Sequence, residues 1–215
     1  AGRAGVLLPP LGFFAELARL AVAHGALLVA DEIWTGLGRS GSWLRMNELG
    51  TLPHLVCLGK GLGGGLPISA CVGSREVMQA WSRPDEVVHT STFAGAPLAC
   101  ATALALLDVL KRNDLPARSR EVGARWLADL SVAVGGSPLV SAVRGQGLMI
   151  GIELSPRLTG GAVTLQRALL ERGYVTSTGG GARDVLILTP ALNVHESLLA
   201  GFTSALAGAL RLLGG

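Results

Sequence analysis

The apolar run at residues 26–30, Ala-Leu-Leu-Val-Ala, narrows the choice of fold first. It has the length of a strand and is continuous rather than alternating, as expected when helices cover both faces of a sheet. Residues 12–24 before it carry apolar side chains at helical spacing, and Gly25 is typical of a helix end. The pattern predicts an α/β fold in which this helix covers a sheet.

Two acidic residues, Asp31 and Glu32, follow this predicted strand directly. Carboxylates behind a buried strand are costly unless a cationic group meets them. A structural partner such as an arginine would satisfy that requirement, and so would a functional role in a ligand site. At this point both interpretations remain open.

The stretch 57–67, Cys-Leu-Gly-Lys-Gly-Leu-Gly-Gly-Gly-Leu-Pro, contains Lys60, one of only two lysines in the chain. A lysine at the end of a buried strand loses solvation of its ammonium form, which makes the neutral amine available as a nucleophile toward a carbonyl. The glycines after it allow positive φ and a close approach of the backbone to a ligand. The alternative is an exposed lysine in a flexible turn. A phosphate-binding P-loop fits less well, because His54 and Gly61 occupy the positions of its first glycine and its Ser or Thr.

Further strands are predicted at 54–58 and 68–72, so Asp31 and Lys60 both follow the carboxyl ends of strands. Ligands bind beyond these ends in open α/β sheets. The glycine-punctuated loop at 33–52 between them is long, and long loops in compact domains are often functional. This arrangement favours a functional role for both residues.

The hydroxyls of Ser91 and Thr92 stand before an alanine- and leucine-rich helix that ends near Arg112. They could cap the helix, bind an anion, or both, and spacing alone favours capping. Ser74 is a second predicted cap, for a helix at 75–81. The character of the chain changes at 113–116, after which we predict a smaller α+β domain with helices at 117–134, 163–172 and 195–213 and strands at 139–144, 148–154, 174–177 and 185–188.

Composition excludes several classes of protein. The net charge is +3 and the arginines are scattered with few aromatics between them, which argues against a nucleic-acid surface. Gly, His, Arg or Asp interrupts each apolar run, so we expect no membrane span. Three cysteines in apolar surroundings predict reduced core thiols in a cytoplasmic protein, and the four histidines show no metal-ligand spacing. The chain opens Ala1-Gly2-Arg3 without methionine, and we expect it to be a piece of something longer.

Several linked motifs stand in a distinctive order and spacing, at 31–41, 58–68, 91–93, 97–101, 144–149 and 189–192. Together they resemble the class III pyridoxal-phosphate-dependent aminotransferases, the group that includes ornithine, acetylornithine and 4-aminobutyrate aminotransferases. The likeness implies an α/β fold of the PLP-dependent transferase fold type I. Residues 1–113 would be the C-terminal part of the cofactor-binding large domain, and 114–215 the small C-terminal α+β domain.

The resemblance also implies roles for four residues. Lys60 would form the Schiff base with pyridoxal 5′-phosphate and move the substrate proton, and Asp31 would pair with the protonated pyridine nitrogen. Ile33 would pack against one face of the ring. Thr92 would reach the cofactor phosphate of the neighbouring subunit, which implies a homodimer with shared active sites. Trp34 stands where many members carry glutamine, so a hydrogen bond to the phenolic oxygen is not carried over.

The function expected from this likeness is transfer of an amino group from an amine or amino acid to a 2-oxo acid. A racemase, aminomutase or decarboxylase of the same fold is an alternative, and so is a non-catalytic fragment or regulatory subunit. Ile187 occupies the place where acetylornithine-type members have an arginine for the substrate carboxylate, so the substrate class is not carried over. Alone, the chain is expected to expose apolar surface and to bind cofactor weakly.

Overall fold

The computed structural model describes residues 2–10, 12–82, 84, 86, 87 and 89–214, and the chain divides into two compact units. The lysine unit consists of Pro10–Leu37 and Trp43–Asp114. The C-terminal unit consists of Ala1–Pro9, Gly38–Ser42 and Leu115–Gly215. The segment Gly38–Ser42 therefore belongs to the C-terminal unit, although its neighbours in sequence belong to the lysine unit.

The lysine unit contains a three-stranded sheet of order β1-β2-β3. Strands β1 and β2 are parallel, whereas β2 and β3 are antiparallel. The strands lie within one to three residues of their predicted positions, and the predicted loop at 33–52 holds one short helix, α2. The elements of this unit are β1 (Val29–Asp31), β2 (Leu55–Leu58), β3 (Ala70–Gly73), α1 (Phe13–Ala23), α2 (Arg45–Glu48), α3 (Arg75–Met78) and α4 (Pro97–Arg112).

The expectation that the first strand is buried on both faces is wrong for this chain. Only Ala30 of β1 is buried, while Val29 and Leu27 are 51% and 56% exposed. Strand β1 lies at the edge of the sheet, and α1 has no buried residue. The apolar run is therefore a sheet segment with uncovered apolar surface, as the sequence predicts for the chain alone.

The C-terminal unit is an antiparallel sheet of order β4-β5-β7-β6 packed with three helices. Each predicted element is present, although β6 begins at Ser177, where the predicted strand ends. Its core includes side chains without exposed surface, among them Leu130, Leu148 and Leu206. The elements are β4 (Val140–Gln146), β5 (Met149–Leu154), β6 (Ser177–Gly179), β7 (Val185–Leu188), α5 (Leu115–Val134), α6 (Gly161–Leu170) and α7 (Glu196–Gly214).

Helix α7 is long and apolar enough to cross a membrane, judged by length and composition only. The sequence-based expectation of no membrane span stays a prediction, because the core helix of a folded domain can have the same length and composition. The helix buries one side in the core of the C-terminal unit, where core packing accounts for its apolar character. Its buried residues are Leu199, Phe202, Leu206, Ala209 and Leu210.

The turn between β4 and β5 explains the glycines of the segment 144–149. Gly147 has φ +56°, and a Cβ there would lie 2.5 Å from the backbone nitrogen of Gly41. The backbone N–H of Leu148 donates to the carbonyl of Arg39 (3.1 Å), and the guanidinium of Arg39 donates to the carbonyls of Leu148 (2.9 Å) and Pro190 (2.5 Å). Burial lowers the pKa of Arg39 to about 10. These contacts fix Gly38–Ser42 within the C-terminal unit.

Candidate functional site

Asp31 is the last residue of β1, and its carboxylate is exposed. The backbone N–H of Ile33 donates to its Oδ1 at 3.1 Å. Among the described hydrogen bonds, this one uses Oδ1 and none uses the other carboxylate oxygen, Oδ2. Because β1 pairs with β2 in parallel, Asp31 lies beside Cys57, three residues before Lys60.

Glu32 has a structural role that differs from the one expected. It is 2% exposed, and its two carboxylate oxygens accept hydrogen bonds from the backbone N–H of Met46 (2.8 Å) and from the hydroxyl of Thr35. These partners are neutral, so the described contacts of Glu32 do not include the arginine that one of the two open interpretations required. A buried carboxylate is satisfied here by fixed N–H and O–H dipoles, which hold the segment after β1 in place.

Lys60 lies two residues beyond β2 and begins a 3₁₀ turn, Lys60–Gly63. Its backbone φ is +44°, a left-handed conformation that costs about 1–3 kcal/mol in a residue with a side chain. Its side chain is exposed and β2 is only half-buried, so the expected desolvation by a buried strand is wrong for this chain. Its Nζ lies 5.4 Å from the centre of the Trp34 ring, within cation–π range.

Ile33 and the glycines around Lys60 shape this part of the lysine unit. A Cβ at Gly59 would lie 3.4 Å from Cγ2 of Ile33, so the isoleucine lies against the residue before Lys60. Gly64 has φ +57° and faces the carbonyl of Thr102 in α4. At Gly61 a Cβ would meet nothing within 4 Å, so the backbone beside Lys60 faces open space.

Thr92 lies in an exposed turn before α4. The helix begins at Pro97, its N-cap is Ala96, and no side chain caps it. The preference for capping drawn from spacing is therefore wrong for Ser91 and Thr92, whereas Ser74 does cap α3 by accepting from the N–H of Val77 (3.3 Å). The structure brings Asp31, Ile33, Trp34 and Lys60 together, and the described contacts do not join Thr92 to them.

Cys57 and Cys71 lie next to this site, although the sequence indicated them only as core thiols and not as site residues. Cys57 on β2 lies opposite Cys71 on β3 in the strand register. Cys57 precedes the Lys60–Gly63 turn and Cys71 follows it. Cys57 and Cys71 are not buried, because β2 and β3 are only partly covered. Cys100 in α4 is also only partly buried, so the prediction that the cysteines are core thiols is wrong. Their signal in the sequence was the presence of one cysteine in each of two successive predicted strands.

A cavity of about 500 Å³ lies in the C-terminal unit between α5, α7, β7 and the segment before β6. Its walls are mainly apolar, and they include Trp126, Tyr174 and Phe202. None of the four predicted site residues lines it. The chemistry predicted from the sequence is therefore located in the lysine unit.

Comparison with known proteins gives concordant matches. A family model described as aminotransferase class-III matches residues 1–210. The chain is 39% identical over 213 residues to acetylornithine aminotransferase of Methanopyrus kandleri, a match that covers 99% of this chain and 52% of that protein. The chain spans about half the length of the curated relatives it matches.

Solved structures match over the same extent. Ornithine aminotransferase of Plasmodium yoelii has a TM-score of 0.91 and 30% identity, covering 99% of this chain and 56% of that one. An amine transaminase from an uncultivated Pseudomonas species, solved with PLP bound, has a TM-score of 0.91 and 32% identity, covering 99% and 50%.

Proposed function

Because the chain belongs to the class-III aminotransferase family, we propose that the protein transfers an amino group from an amine or amino acid to a 2-oxo acid. Members of this family use pyridoxal phosphate. The observation that carries the proposal is the position of two exposed side chains at the carboxyl ends of two neighbouring parallel strands. They are the carboxylate of Asp31 and the amine of Lys60. Ligands of open α/β sheets bind at such ends.

The residues present fit the cofactor by their chemistry. Lys60 offers a primary amine for its aldehyde, Asp31 offers a carboxylate for its ring nitrogen, and Ile33 offers an apolar surface for its ring. Open space beside Gly61 leaves the backbone next to Lys60 accessible. When bound, the cofactor supplies an electron sink that stabilises negative charge on the substrate Cα.

Three residues of the chain would provide proton transfer, protonation of the cofactor ring and orientation of that ring. Lys60 would hold the cofactor. As a neutral amine it would then accept the proton from the substrate Cα at its Nζ and later donate the proton from the same nitrogen. The carboxylate of Asp31 would keep a proton on the ring nitrogen by accepting a hydrogen bond from it. Ile33 would fix the tilt of the ring by contact, because its side chain is held against Gly59.

The proposal extends to the assembly. Thr92 would bind the cofactor phosphate of a neighbouring subunit, so the protein would act as a homodimer with shared sites. Its exposed turn leaves the hydroxyl accessible for such a contact. We also propose a cytoplasmic location, for which the support is the odd number of cysteines and the absence of a disulfide among the described residues.

The test uses the fact that the chain has only two lysines, Lys60 and Lys111. Both are exposed and both lie in the lysine unit, so Lys111 is a matched control for non-specific reaction. The protein is incubated with pyridoxal phosphate, reduced with borohydride and digested, and the pyridoxyl label is mapped by mass spectrometry. We expect most of the label on Lys60, and Lys111→Ala should leave that label unchanged.

In the complete protein, Lys60→Ala should remove the visible absorbance of bound cofactor and the amino-transfer activity while the circular dichroism spectrum stays the same. The assignment fails if the label divides equally between the two lysines, because solvent-exposed amines of equal reactivity would give that result. It also fails if the Lys60→Ala protein keeps near-normal turnover. Lys111→Ala controls for the loss of one surface charge.

A further inference from the structure

Cys57 and Cys71 face each other directly across the antiparallel pair of β2 and β3. Side chains at directly opposed positions point to the same face, and their Cα atoms lie about 4.5–5.5 Å apart in such ladders. A disulfide requires Cα atoms roughly 4.4–6.8 Å apart, so the pair meets this requirement without movement of the backbone.

The two thiols differ in access. Cys71 is exposed, whereas Cys57 is partly buried. Burial raises the pKa of the Cys57 thiol, and the neighbouring Cys71 and Asp31 act in the same direction. Cys57 therefore stays protonated at neutral pH, and Cys71 is the thiol that a dissolved oxidant meets first.

We propose that Cys57 and Cys71 form a site of reversible oxidation, in which a small-molecule disulfide converts the two thiols to one cross-strand disulfide. This inference goes beyond the proposed function and does not require it. It rests on the strand register, which sets the two cysteines directly opposite each other, and on the exposure of Cys71.

The reaction balances with glutathione disulfide as the oxidant. The Cys71 thiolate attacks one sulfur of glutathione disulfide, forms a mixed disulfide and releases glutathione thiolate. Cys57 then loses its proton and attacks the Cys71 sulfur, which breaks the mixed disulfide and releases a second glutathione. Two protein thiols are oxidised and one glutathione disulfide is reduced to two glutathione molecules.

The position of the pair gives the oxidation a structural consequence. The segment between Cys57 and Cys71 contains the Lys60–Gly63 turn and the left-handed Gly64 and Gly65. On the other side of β2, Cys57 is in register with Asp31. A disulfide would thus close the loop that carries Lys60 at its base, beside Asp31.

The experiment uses the reduced full chain, glutathione disulfide and mass spectrometry. Samples are stopped with acid at intervals, the remaining thiols are blocked with a maleimide, and the protein is digested with trypsin. Trypsin cleaves after Lys60 and Arg75, so the two cysteines fall in different peptides and their disulfide appears as a linked pair. We expect a transient glutathione adduct on Cys71, then the linked pair, and full reversal by dithiothreitol.

Three variants separate the steps. Cys100→Ser, a change in α4, should leave the linked pair and its rate unchanged. Cys57→Ser should accumulate the glutathione adduct on Cys71, because the resolving thiol is gone. Cys71→Ser should abolish the linked pair and slow glutathione addition at Cys57.

This experiment measures disulfides between cysteines, whereas the lysine-labelling test measures pyridoxyl label on lysines, so either result can fail without the other. The inference is overturned if the wild-type chain keeps glutathione on Cys71 without a linked pair, or if Cys100 supplies one partner. A linked pair whose rate rises with chain concentration would also overturn it, since that result indicates a bond between two chains. The wild-type time course decides these points even where a serine variant fails to fold.

Discussion

Gly123→Ala tests the close approach of helix α5 to the turn between β4 and β5. Gly123 lies in α5, and an ideal Cβ there would lie 2.1 Å from the carbonyl oxygen of Gly147 and 2.3 Å from its carbonyl carbon. The obstructing atoms are backbone atoms, so rotation of a side chain cannot relieve the overlap. The helix or the β4–β5 turn must move.

The magnitude follows from two opposing effects. Alanine in a helix interior is favoured over glycine by about 1 kcal/mol. Relief of the overlap requires the helix and turn to separate by roughly 1 Å, and such overpacking costs about 1–3 kcal/mol or more. The turn resists movement, because Gly147 itself lies against the backbone of Gly41 and Arg39. Because the turn resists movement, we take the upper end of the overpacking cost, about 3 kcal/mol, which leaves a net loss of about 2 kcal/mol in the free energy of unfolding.

Gly208→Ala is the matched control, because it adds the same methyl group to helix α7. A Cβ there would meet only the flexible end of Arg211, at 3.9 Å, so the helix preference should dominate and stabilise the chain by up to about 1 kcal/mol. Thermal unfolding followed by circular dichroism should give shifts of opposite sign, at roughly 2–4 °C per kcal/mol for a chain of this size. The argument is refuted if Gly123→Ala is as stable as the wild type.

Two further predictions concern single side chains. Leu206→Ala removes a side chain with no exposed surface and should lower the free energy of unfolding by about 2–5 kcal/mol, whereas Leu212→Ala, at a position 73% exposed on the same helix, should change it by less than about 0.5 kcal/mol. Equal melting shifts would show that α7 does not bury the side described. In the reduced chain, alkylation of Cys57 by iodoacetamide should be slow at neutral pH and keep rising above the ordinary thiol range, because burial, Cys71 and Asp31 raise its pKa. The folded chain then holds this proton more tightly than the unfolded one, so this group's contribution to stability falls as pH rises past the ordinary thiol value; a plateau at the ordinary value would contradict the assignment.

Most elements could be predicted because their signals are local. The helical spacing before Gly25, the cap at Ser74 and the alternation after Asp114 each depend on neighbouring residues, and the structure contains the corresponding elements. The family was also evident from linked motifs, and the match over residues 1–210 confirms it. The roles of Lys60, Asp31, Ile33 and Thr92 stay predictions, because they depend on a cofactor.

Other features could not be predicted because distant segments decide them. From the sequence, a cationic partner was one way to offset the cost of burying Glu32. In the structure, hydrogen bonds from the backbone N–H of Met46 and the hydroxyl of Thr35 offset that cost. Thr92 resembled a helix cap, yet the helix starts five residues later, at Pro97. Burial of Lys60 was inferred from apolar neighbours, but burial depends on what covers a strand, and β2 is only partly covered.

The sequence by itself determined the order of strands and helices, the family, and the placement of Asp31 and Lys60 at or just beyond the carboxyl ends of successive strands. The order of the elements follows from the periodicity and spacing of residues along the chain, and the family follows from the resemblance of linked motifs. Only the tertiary structure decided that β1 and β2 are parallel, that Gly38–Ser42 packs in the C-terminal unit, and that Cys57 faces Cys71. Strand register and packing join residues far apart in sequence, and a shift of one residue would turn each side chain to the opposite face of the sheet.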